Sequence, residues 1–160
     1  MKVLRAILGG IMGALAMSLA MFLMRSSGIQ LSLEALLGSL IPQNEIVSTW
    51  VGGFVLHLLI GAVVALVYAF VFEVAVQRAG ALMGGGLGLA HGLLAGLFMS
   101  GIQAMNPLDP NVASAPGPFL SHMAFGPLVF LMLHCLYGIV VGVVYGHTVQ
   151  NVHIYTRRPI

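Results

Sequence analysis

His57-Leu-Leu-Ile-Gly61-Ala-Val63-Val64-Ala-Leu-Val67-Tyr68 and His134-Cys-Leu-Tyr-Gly138-Ile-Val140-Val141-Gly-Val-Val144-Tyr145 both read H-x3-G-x-V-V-x2-V-Y, at an offset of 77. Neither segment carries a charge, and each lies inside a longer apolar run. A bilayer crossing takes roughly 20 apolar residues, and four charge-free stretches reach it: 6–24, 46–72, 79–103 and about 119–146. The backbone must satisfy its own polar groups in lipid, and no ten-residue alternation suggests a barrel, so the spans are read as helices.

The whole composition agrees. Of 160 residues only ten are Asp, Glu, Lys or Arg, and 59% are hydrophobic; an ordinary soluble domain is about one quarter charged. Mean hydropathy is +1.05. So few charges cannot cover so much apolar surface, and lipid must cover it instead. A single cysteine, Cys135, excludes an intramolecular disulfide framework and any Cys-only metal cluster. A net charge of +2 gives no argument for nucleic acid.

The expected fold is an all-α membrane protein of one domain over 1–160, built from a parallel two-helix internal repeat (about 5–73 and 81–148). The first and third spans match more weakly at an offset of 76, Gly9-Gly10, Ala14 and Phe22 against Gly85-Gly86, Ala90 and Phe98. Two helices per copy put the pseudo-symmetry axis along the membrane normal, unlike the inverted repeats common in alternating-access transporters. The second and fourth spans are expected to meet near that axis, with His57 and His134 at matching depth.

Lys2 and Arg5 before the first span also fit a signal peptide, but its 19-residue apolar run exceeds the usual core of about 7–15 residues. It reads as a helix that stays. Lys2, Arg5, Arg78, Arg157 and Arg158 fall at one set of ends and only Arg25 at the other. This predicts both termini in the cytoplasm, in the inner (cytoplasmic) membrane, with Glu34, Glu45 and Asp109 outside. The greasy loop 25–45 suggests an interfacial amphipathic helix ended by Pro42. The loop 105–120, with Pro107, Pro110, Pro116 and Pro118, reads as irregular. Tyr68, Tyr145 and Trp50 are expected at the interfaces.

Small residues recur at steps of four: Gly53, His57, Gly61 and Ala65; His134, Gly138, Gly142 and Gly146; Gly84, Gly88, Gly92 and Gly96. Their expected role is close helix packing. His57, His134 and His91 are intramembrane ionisable groups, which point to a functional site. Two readings compete. In one, His57 and His134 are axial ligands of a b-type haem, with Gly61 and Gly138 making room for the porphyrin. In the other, neutral histidines hydrogen-bond a Ser, a Tyr or a carbonyl across the bundle. A quinone or other lipid-soluble ligand is a further candidate for the same residues. Met17, Met21 and Met24 share a helix face that suits Cu(I), yet methionine is also an ordinary core filler, the preferred reading. Asp109, Ser121 and His122 lack the motif of a hydrolase. His122, His147 and His153 fall at or beyond the membrane edges.

Segments 53–73 and 117–146, with their H-x3-G…V-Y helices, resemble the small four-helix integral membrane proteins of bacteria and archaea grouped in families of unknown function. That resemblance implies the fold and brings no catalytic residues. The leading functional expectation is a non-catalytic accessory subunit that packs against other membrane subunits or itself, in a respiratory or redox complex. The runner-up is an electron-transfer protein binding haem b or quinone through His57 and His134. A small transporter or channel is third.

Overall fold

A computed structural model describes residues 1–28, 32–41, 49–105 and 125–148, and for 99–105 the backbone alone. The described chain is all helical: α1 (Val3–Ser26), α2 (Leu33–Gly38), α3 (Thr49–Phe70, continued by a π-helical turn Val71–Val76), α4 (Ala81–Met105) and α5 (Gly126–Tyr145). Four of these are long and apolar enough to cross a membrane, so the chain is an all-α integral membrane protein. Pro42, Glu45, Asp109, Ser121, His122 and His153 lie outside the described residues.

The helices pack in the order α3, α1, α5, α4. The two central helices are therefore α1 and α5, and the expected close meeting of the second and fourth spans is corrected: α3 barely touches α5. Glycine decides this. A Cβ at Gly9 would contact Val141 and Val144, and one at Gly13 would press on the Tyr137 ring. With no side chain at either position, α1 closes on α5.

Within each repeat the hairpin is built the same way. A Cβ at Gly61 would meet the Gly10 carbonyl oxygen and the Ala14 methyl, each at 2.9 Å. A Cβ at Gly138 would overlap the Gly84 carbonyl oxygen and reach the Gly88 Cα at 2.9 Å. These contacts align α1 with α4 at an offset of 74, pairing Gly10 with Gly84 and Ala14 with Gly88. The offset of 76 read from Gly9-Gly10 and Gly85-Gly86 is thus displaced by two residues. Packing chooses the register because only the face turned to the partner helix is constrained.

The repeat also explains an opening. Under the offset of 74, Gly9 and Gly13 of α1 correspond to Met83 and Leu87 of α4. Glycines let α1 reach α5, whereas these two bulky, half-buried side chains stand where α4 would close on α3. The close backbone packing of α4 on α3 that would complete the symmetry is not made; the two helices meet through Tyr68 and His91, and a groove remains between them.

Gly84, Gly88, Gly92, Gly138 and Gly142 all sit at the α4–α5 crossing, and Gly96 is buried on α4. Gly146 does something else. It follows the last residue of α5 with φ +70, a left-handed conformation that suits glycine, and ends the helix. Met17 and Met21 are buried in the core and Met24 packs against it, which is the filler role.

Tyr68 and Tyr145 are both buried in the core. The Tyr145 hydroxyl donates to Glu73 Oε1 at 2.6 Å and accepts from the Lys2 backbone N–H at 3.1 Å. The π-turn holds the Glu73 that receives this bond, and Gln77 (φ 56) ends it. Trp50 is surface-exposed and stacks on Phe54 at 5.3 Å.

The short α2 lies within the loop 25–45, where a helix was expected. It spans six residues, with the Ser32 hydroxyl capping its N-terminus by accepting from Ala35 N–H at 3.1 Å. Glu34 is fully buried. A Cβ at Gly53 would overlap the Glu34 carbonyl oxygen, so α2 lies directly on the α3 backbone. Glu34 Oε2 accepts from Ser32 Oγ (3.1 Å) and pairs with Arg25 (3.4 Å).

Candidate functional site in the groove between α3 and α4

His57 and His134 each lie eight residues into their helices, counted from Thr49 and Gly126, about 12 Å along the axis at 1.5 Å per residue. Both side chains are buried, and both line the groove, as does His91 of α4. The cavity has a volume of about 380 Å³, within the range of small-ligand sites. Its wall is otherwise apolar. Leu33 and Leu37 of α2 form part of that wall beyond His57, and the surface-exposed Leu94 and Phe98 border it on α4.

Each histidine has a defined partner. His57 Nδ1 lies 3.2 Å from Ser18 Oγ on α1. His91 Nδ1 lies 3.4 Å from the Tyr68 hydroxyl. His134 Nδ1–H donates to the Phe130 carbonyl at 2.9 Å, one turn back on its own helix. A carbonyl can only accept, so a neutral His134 carries its proton on Nδ1 and presents Nε2 as a lone pair. The rings of His91 and His134 meet edge to face at 5.0 Å, and the Phe130 ring lies 4.3 Å from His134.

The repeat accounts for the difference between the two equivalent histidines. Ser18 corresponds to Gly92 at the offset of 74, and a Cβ on Gly92 would already crowd the His134 Cβ at 2.9 Å. One copy supplies a hydroxyl to its histidine; the other supplies bare backbone, and His134 turns to Phe130. Ser18→Ala should accordingly cost about 1 kcal/mol, the usual net value of a buried hydrogen bond. Detergent-denaturation midpoints of the two proteins would check it, and an unchanged midpoint would remove Ser18 from the account.

Tyr137 completes the site and carried no signal as a candidate. Its hydroxyl donates to the Gly61 carbonyl at 2.5 Å, tying α5 to α3 across the groove floor. It stacks edge-on against Tyr68 (5.7 Å) and lies 5.9 Å from His91. The usable clue was its place in the repeat, where Ile60 stands in the other copy: one copy keeps an aliphatic residue, the other a phenol in mid-membrane.

The fit to haem can be tested on these contacts. Gly61 and Gly138 do not clear space for a porphyrin, because their missing side chains make way for the backbones of α1 and α4. The Tyr137–Gly61 bond spans the interval between α3 and α5 where the macrocycle would lie. His134 is already flanked by His91 and Phe130. The arrangement does not fit a haem clamped between His57 and His134. Among the described residues no three His, Cys, Asp or Glu side chains are grouped to hold a metal ion.

The site is therefore a mostly apolar groove between α3 and α4, lined by four residues with polar groups, His57, His91, His134 and Tyr137. No protein family, no curated protein and no solved structure matches this chain.

Proposed function

We propose that the protein binds a neutral, lipid-soluble ligand of the quinone class, its ring among His57, His91, His134 and Tyr137 and its tail leaving between α3 and α4. The observation that carries this reading is the composition of the groove: an apolar wall with a few convergent hydrogen-bonding groups, the pattern expected of a site that orients a small ligand. A lateral opening suits a ligand that arrives through the bilayer. The aromatic rings of Phe130, Tyr137 and Phe98 favour a flat head group.

On this reading the chain performs no reaction of its own and serves as an accessory subunit, holding the ligand for a larger redox complex. The charge distribution supports placement in the inner membrane with both termini cytoplasmic.

A titration of the detergent-purified protein with a short-tailed benzoquinone, followed by Trp50 and tyrosine fluorescence, tests the proposal. Saturable binding is expected. Ala95→Phe places a ring in the groove from the α4 wall and should weaken binding by about tenfold or more, equivalent to about 1.4 kcal/mol. Absence of saturable binding, or equal binding by Ala95→Phe, would refute the site.

A further inference from the structure

Resting on that reading of the groove, we infer that the site selects the reduced, hydroxyl-bearing form of its ligand: a hydroquinone in preference to the quinone. The hydrogen-bond directions decide this. His134 has spent its one N–H on the Phe130 carbonyl and offers the groove a lone pair. Tyr137 has spent its O–H on the Gly61 carbonyl, so its oxygen can only accept. Two of the four polar groups are thus committed acceptors. A hydroquinone brings two O–H donors to them, whereas a quinone brings two carbonyl oxygens, which leave acceptor facing acceptor.

The other two groups adapt to either form. Ser18 and Tyr68 can each donate or accept, so the rings of His57 and His91 can present N–H or lone pair as required. The bias therefore comes from α5 alone. It also follows from the broken repeat: Gly92 stands where the other copy has Ser18, its bare backbone gives His134 no hydroxyl, and the Phe130 carbonyl fixes the tautomer instead.

The test compares one ring and one tail in two oxidation states. Under anaerobic conditions the purified protein is titrated with a short-tailed benzoquinone and with its hydroquinone. An ordinary hydrogen bond contributes about fivefold in affinity, so two predict a hydroquinone preference of about tenfold or more. His134→Leu should bring hydroquinone affinity down towards that of the quinone and leave quinone affinity nearly unchanged. As a readout free of folding effects, nitrogen NMR of histidine-labelled wild-type protein should show His134 protonated at Nδ1, with its Nε2 resonance moving on hydroquinone addition and not on quinone addition. Equal affinities, a preference for the quinone, or a His134 protonated at Nε2 would each overturn the inference. If neither form binds, it is the groove's assignment as a quinone-class site that fails.

Discussion

Gly138→Ala should separate α4 from α5 and destabilise the protein by about 3 kcal/mol, the upper range for overpacking a rigid contact. The added methyl would run into the Gly84 carbonyl and the Gly88 Cα. These are main-chain atoms, and they cannot turn aside as a side chain does. Gly84 faces back with the same restriction, since a Cβ there would overlap the Gly138 carbonyl. The crossing is a contact of two backbones, and in lipid such close packing takes the place of the hydrophobic drive between helices. Gly86 provides the control on the same helix: a Cβ there meets nothing within 4 Å. Gly86→Ala should hold stability or raise it slightly. Unfolding of both variants in mixed micelles, followed by helical circular dichroism, would decide it. Similar midpoints for Gly138→Ala and Gly86→Ala would mean that the crossing is looser than the backbone geometry requires. Because His134 lies one turn from Gly138, the first variant should also disturb the groove.

The four spans were legible because lipid imposes one rule on every residue in them, and periodic small residues mark the faces that touch. The equivalence of the two H-x3-G helices was legible for the same reason, since Gly61 and Gly138 hold equivalent places against Gly10 and Gly84, although the two helices do not pack on each other as expected. Which helices lie at the centre was not. That depends on Gly9 and Gly13 facing one way while Met83 and Leu87 face the equivalent way in the other copy, a comparison that needs the offset of 74. A search for sequence identity returns 76, because Gly9-Gly10 and Gly85-Gly86 look alike whatever they touch. The three histidines were visible as costly intramembrane groups, but their hydrogen bonds were not. Ser18 lies 39 residues from His57, and nothing local to either predicts that they meet. The burial of Glu34 was not legible for a related reason. A carboxylate in a loop ordinarily faces water, and only the bare backbone at Gly53 lets α2 settle deeply enough to enclose it.

That enclosure makes the Arg25–Glu34 pair the second sensitive point. Arg25→Leu should destabilise the protein by about 3 kcal/mol, the low end of the range for stranding one partner of a buried ion pair, because Arg25 keeps 22% of its side chain exposed. Glu34 has no exposed surface, and its Oε1 already lacks a hydrogen-bond partner among the described residues. Removing the guanidinium would leave the carboxylate held by Ser32 Oγ on Oε2, with its negative charge uncompensated by Arg25. The double variant Arg25→Leu/Glu34→Leu should recover most of the loss, since a buried pair exchanged for apolar side chains is often neutral. A double variant as unstable as Arg25→Leu would show that the two act separately. The consequence extends to the groove, because Leu33 and Leu37 reach it from the same short helix that Glu34 anchors. Loosening α2 removes that part of the wall and admits water towards His57. Arg25→Leu should therefore weaken ligand binding while the double variant, with α2 seated again, binds as the parent does; loss of binding in both would place Glu34 itself among the groups that the ligand requires.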